Sequence, residues 1–107
     1  MNTKVADDLP ADLTEEVAVL RIDPAEAEAT LGFPVKDDFD DLDTFSYVVF
    51  QTEGYRYALV RYKHAPNPGM TLIMDKKCAL DLNKHLDFVL KFLELHDHDV
   101  IWKRHTI

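Results

Sequence analysis

The chain has 107 residues, 47% hydrophobic, 10% aromatic and 30% charged, which is enough for one globular core and excludes a disordered chain. Twelve Lys and Arg against 20 Asp and Glu give a formal net charge of −8, which argues against nucleic-acid binding because neutralising phosphates needs clustered cations. The single cysteine has no internal disulfide partner, residues 1–8 lack a signal-peptide core, and no apolar run reaches the roughly 20 residues that cross a bilayer; a cytoplasmic protein without membrane association is expected.

Residues 1–13 mix Pro10 with acids and show no hydrophobic period, which predicts a loose leader before a single domain over 14–107. Residues 17–22 are short, branched and apolar and predict a strand, with a helix starting at Thr14 as the rival. In Asp23-Pro24-Ala25-Glu26, the Asp23 carboxylate can accept from first-turn amides and Pro24 gives up no hydrogen bond at the first helical position. Glu26 can reach back to complete a capping box. A helix over 24–31 follows, closed by Gly32.

Asp37, Asp38, Phe39, Asp40, Asp41, Leu42 and Asp43 come next, five carboxylates in seven positions. Like charges this close repel, which predicts an extended, solvated loop over 35–44. Phe39 and Leu42 have no use in a purely solvating linker and are expected to tuck into the body or meet a partner.

Residues 45–51 and 55–62 are rich in aromatic and branched residues and flank Thr52-Glu53-Gly54, a hairpin signal. A two-residue turn would force Glu53 to positive φ, so a three-residue loop with Gly54 left-handed is preferred, pairing Val49 with Tyr57 and Tyr47 with Leu59. Asn67-Pro68-Gly69 predicts a type II turn. A strand over 70–74 follows, then a helix from about Lys76 to about Leu95 with Asp75 as cap. His96-Asp97-His98-Asp99 breaks it, and a last strand covers 100–104. The expected fold is an α+β two-layer sandwich, an antiparallel sheet of 4–5 strands on two helices in the order β-α-β-β-β-α-β, close to the ferredoxin-like order with one strand added.

On the long helix, Ala79, Leu82, Leu86, Val89, Leu90 and Leu93 share one side, as expected against a sheet. Phe88, Phe92 and Leu95 widen that surface. The first helix is the preferred cover for this extra stripe, and a second subunit is the alternative.

No motif assigns a catalytic residue, a cofactor or a metal. His96 and His98 would converge in an extended segment while Asp97 and Asp99 point away, and no further ligand suggests itself. Cys78 and His85 are ~10 Å apart along a continuous helix, too far for a thiolate–imidazole pair. A first-turn position can lower the Cys78 thiol, although a buried small apolar role is preferred. The acidic run lacks the glycine and glutamate of a calcium loop, and the three glycines at 32, 54 and 69 form no phosphate loop. Arg56, Arg61, Tyr62, Lys63 and His64 offer a basic and aromatic strand face without the motif that stacks RNA.

The charge is uneven: residues 1–53 carry 14 acids and 3 bases, residues 54–107 carry 6 acids and 9 bases. The expected function is therefore a non-enzymatic acidic binding protein, an inhibitor-like, immunity-like or regulatory adaptor, that docks on a basic protein through residues 37–43. Arg56, Arg61 and Lys103 are the cations that would cancel this surface if folded across it. One alternative is a small-ligand or catalytic homodimer joined through Phe88, Phe92 and Leu95, with a pocket by the long helix and His85 at its margin. Another is an accessory subunit of a larger assembly.

Overall fold

Asp23 caps the first helix as its neighbours dictate. In the computed structural model, which describes residues 9–32, 34–39, 43–65 and 68–105, its carboxylate accepts from the Glu26 amide at 2.8 Å and the Glu26 carboxylate accepts from the Asp23 amide at 3.2 Å. α1 (Pro24–Leu31) runs from this box to Gly32, whose φ of 82° lets its amide close on the Glu28 carbonyl. Asp23→Ala is expected to cost about 1 kcal/mol, read as a lower urea midpoint; an unchanged midpoint would mean that the box contributes nothing.

The remaining elements are β1 (Glu15–Leu20), β2 (Lys36–Phe39), β3 (Thr44–Thr52), β4 (Tyr55–Tyr62), β5 (Met70–Met74), α2 (Lys76–Ala79), α3 (Leu82–Phe92), a 3-10 turn over Asp97–Asp99 and β6 (Val100–Lys103). The strands form one sheet in the order β2-β3-β4-β5-β1-β6, antiparallel at every pairing. The α+β class holds, and the details change in three places.

The sheet has six strands rather than four or five, because part of the expected acidic loop over 35–44 is β2. Alternation explains how a strand survives here: Asp37 pairs with Ser46 on the helix side of the sheet and Asp38 with Phe45 on the outer side, so neighbouring carboxylates face apart. The Ser46 hydroxyl donates to Asp37 at 2.7 Å, and the Phe39 amide donates to Asp38 at 2.8 Å.

The hairpin takes the two-residue turn. Thr52 pairs with Tyr55 and Phe50 with Tyr57, with Glu53 at φ 56° and Gly54 at φ 80°. Two successive left-handed residues match the twist of the flanking strands, and this outweighs the cost at Glu53. The register differs by one residue from that of the three-residue loop and sets the faces. Val48, Phe50, Tyr57 and Leu59 join the helix-side core, while Tyr47, Val49, Ala58 and Val60 form the outer one.

The long helix is two helices. Leu80 and Asp81 close α2 through tight bonds to the Lys77 and Cys78 carbonyls, and α3 restarts at Leu82. It ends at Phe92, where Glu94 turns left-handed at φ 59° and the Glu94 and Leu95 amides return to the Lys91 and Leu90 carbonyls.

Leu82, Leu86, Val89, Leu90 and Leu93 bury against β1, β3, β4 and β5. Of the residues before β1, Leu13 is buried in the outer cluster and Leu9 packs on it; residues 1–8 lie outside the described residues. No described helix is long and apolar enough to cross a membrane.

Candidate functional site

β2 lies at one end of the sheet and, among the described strands, pairs with β3 alone. Asp37 and Asp38 are exposed, and Phe39, at the strand's end, is 75% exposed. Neither carboxylate forms an ion pair with a described residue; each accepts one of the hydrogen bonds given above. On the helix side β2 borders a pocket of about 550 Å³, lined among others by Asp37, Phe39, Ser46, Arg61 and Lys63 and closed by Pro24 at the start of α1. The volume lies within the range of small-ligand sites.

Of the three cations that could have cancelled the acidic run, Arg56 and Lys103 are engaged away from its described residues, and Arg61 borders them. Arg56 faces the outer side and binds Asp12 at 2.7 Å. Lys103 donates to Asn83 at 3.2 Å, and Arg61 donates to the Gly69 carbonyl at 2.7 Å while lining the pocket. Arg61 and Arg56 are thus on opposite sheet faces, so the basic strand face expected from Arg56, Arg61 and Tyr62 is divided between the two.

Asp43 has an internal role. Its carboxylate accepts from the His64 amide at 3.0 Å, the Thr44 amide at 2.8 Å and lies 2.8 Å from His64 Nδ1, with its side chain 14% exposed. The His64 amide first, then its ring, holds this carboxyl below the usual carboxylate range. It ties the start of β3 to the end of β4. Asp40, Asp41 and Leu42 lie outside the described residues.

The apolar stripe on α3 meets the sheet of its own chain. Phe92 stacks on Phe50 with ring centres 5.7 Å apart, Phe88 lies over Tyr55 at 6.3 Å, and Leu95 packs on the helix-side core. The cover is thus the β3–β4 hairpin, which the expectation of an α1 cover did not consider.

His85, the margin residue of the stripe, is 4% exposed. Its Nδ1 lies 2.8 Å from the Tyr57 hydroxyl, and the Tyr55 ring meets it edge-on at 4.5 Å. Burial lowers its pKa, assisted by Lys84 and opposed by Asp81 and Asp75. Cys78 is buried, its amide donating to Asp75 at 2.7 Å; burial and the Asp75 carboxylate push its thiol up to about 12, so it stays protonated and is a poor nucleophile. Among the described residues, His85 and Cys78 are absent from the lining of the 550 Å³ pocket, of a cavity on the outer face and of one beside α1.

His96 and His98 do stack, with ring centres 5.4 Å apart, but the described residues contain no group of three His, Cys, Asp or Glu side chains placed to hold a metal. Sequence reasoning named Arg61 as a cation that could fold across the acidic run, but missed Ser46 and Lys63 as its neighbours. The signal that would have found them is strand alternation, available only once β2 is assigned. Comparison of the chain with protein-family models, with curated proteins and with solved structures finds no match in any of the three.

Proposed function

We propose that the protein is a non-enzymatic binding protein that docks on a basic protein partner through the β2 edge, with Asp37 and Asp38 supplying the field and Phe39 the apolar anchor. The observation that carries this reading is the placement of two carboxylates, without ion pairs to any described residue, beside a three-quarters exposed phenylalanine on an outer strand. Such carboxylates attract cationic surfaces at a distance and lose that pull as salt screens it. A buried aromatic then supplies contact energy that rim charges do not. In this reading Asp43 shapes the loop rather than meeting the partner.

The test is affinity capture from the native lysate at low and raised salt, run beside a variant carrying Asp37→Asn, Asp38→Asn and Phe39→Ala. Cationic proteins retained at low salt by the parent chain and lost with the variant support the reading. Equal retention by both, or none of cationic character, overturns it.

The mixed lining of the 550 Å³ pocket favours a second reading, a small-ligand protein. Its Arg61 and Lys63 suit an anionic group while Asp37 suits a cationic one.

A further inference from the structure

The two ends of the sheet differ in a complementary way. β2 presents Asp37, Asp38 and the exposed Phe39. β6, at the far end, presents Ile101 at 40% and Trp102 at 49% exposure, then Lys103, and the chain continues into Arg104 and His105. Both strands are four residues long, and each pairs with one described neighbour.

Topology makes these ends compatible. Six strands alternating in direction leave the first and last antiparallel to each other. A second copy placed beyond β6 in the same orientation therefore presents its β2 antiparallel to β6 and keeps its helices on the same side of the extended sheet. An odd number of strands would have opposed parallel edges instead.

Side-chain faces also agree. Asp37 and Phe39 point to the helix side, since Asp37 pairs with Ser46, two residues from the core residue Val48. Lys103 points to the same side: it pairs with Ala18 of the helix-side core and reaches Asn83 on α3. Asp38 and Trp102 share the outer side, where Trp102 pairs with Val19. A register setting Asp37 against Lys103 makes an ion pair on the helix side and sets Asp38 beside Trp102 on the outer side, while the bulge in β6 turns Ile101 outward next to Val19.

We infer that this chain self-associates head to tail, the β2 edge of one copy adding to the β6 edge of the next. Pairing of like edges is disfavoured. Two β2 strands would oppose four carboxylates, and charge on an edge strand is an established guard against such contact. Two β6 strands would set lysine near lysine. A heterologous contact does not saturate at a dimer; it grows into a ring or an open chain of copies. Two short strands make a small interface, so the association is weak and concentration-dependent. Moderate salt favours its detection, because a Debye length of about 8 Å screens the repulsion between whole acidic molecules more than a contact pair.

The test is light scattering or sedimentation equilibrium of the purified full chain across a concentration series. Average mass is expected to rise continuously above that of the monomer. Asp37→Lys with Asp38→Lys, and separately Lys103→Glu, are each expected to weaken association at least tenfold while leaving the far-ultraviolet circular dichroism unchanged. Mixing the two variants restores it, because the cationic β2 of one meets the acidic β6 of the other. Mass that stays monomeric at every concentration, association that both variants retain, or folded variants that do not associate when mixed would overturn the inference. Lys103→Glu leaves β2 intact, so it separates this contact from docking of a foreign partner: capture of cationic proteins persists in that variant if the docking reading holds.

Discussion

Gly69→Ala is expected to be the most damaging single-methyl change in the protein, lowering the unfolding free energy by about 2–5 kcal/mol. Two costs add. Gly69 has φ 101°, in a region that residues with a Cβ rarely adopt. A Cβ there would also lie 2.5 Å from the Leu20 carbonyl oxygen and 3.0 Å from atoms of Val19 and Ile101. The oxygen is backbone of β1, opposite the first residue of β5, and cannot move without disturbing that pairing. Gly32→Ala is the control, since Gly32 has φ 82° and a Cβ added there would meet nothing within 4 Å, so it carries the backbone cost alone. For a domain of this size each kcal/mol moves the melting temperature by about 4–8 °C, so thermal unfolding separates the two. Equal losses would mean that the close approach at Gly69 relaxes without cost.

The same glycine shows how far local chemistry reads through to structure. A Pro-Gly pair predicts a left-handed glycine from sequence, and Gly69 is left-handed. That its Cα packs against β1 depends on β5 lying beside β1, a pairing between segments some fifty residues apart that no local pattern encodes. The contrast recurs elsewhere. The Asp23 box and the Asp75 cap were legible because donor and acceptor sit three residues apart.

β2 was not legible, because charge density within a window says nothing about which face each carboxylate takes once a neighbouring strand fixes the pleat. The hairpin register turned on a real cost, positive φ at a residue with a Cβ, which is smaller than the gain from twist matching and from burying both faces of β3 and β4. At the acidic run, the partnership of Asp43 with His64 spans 21 residues. It separates a structural aspartate from Asp37 and Asp38, which look alike in the sequence. The charge asymmetry between the two halves of the chain survives in space as an acidic edge and a cationic, aromatic one.

Tyr57→Phe is expected to destabilise the protein by about 1–3 kcal/mol, because it removes the hydroxyl that satisfies a buried ring nitrogen while leaving the packing volume in place. The pair sits where β4 meets α3, with Glu53 before β4, Tyr55 on β4, Asp75 and Cys78 at the start of α2, and Asp81 and Lys84 before and on α3 as the titratable groups around it. Burial raises the Tyr57 phenol and lowers the His85 imidazolium, so both are neutral in the folded protein at neutral pH. In the unfolded chain His85 titrates at its ordinary value of about 6.5. Below that pH the unfolded state takes up a proton that the folded state refuses until its own lower pKa is reached. Stability from this group is therefore complete above about 6.5 and lost as pH falls through the folded pKa, at no more than about 1.4 kcal/mol per pH unit. Glu15, Asp43 and Asp75, whose carboxyls are held low by their partners, lose their contribution at more acid pH, below their ordinary range. Urea unfolding between pH 7 and 5 thus excludes the carboxylates, and the difference between the parent and a variant lacking His85 separates this histidine from the other four. The parent midpoint falls across that window, and a His85→Leu variant, whose side chain cannot accept a proton, shows a shallower slope whatever its absolute stability. A parent midpoint that is flat over the window, or a slope identical in the variant, would show that the imidazole is protonated in place without penalty, and that the Tyr57 contact stabilises both charge states alike.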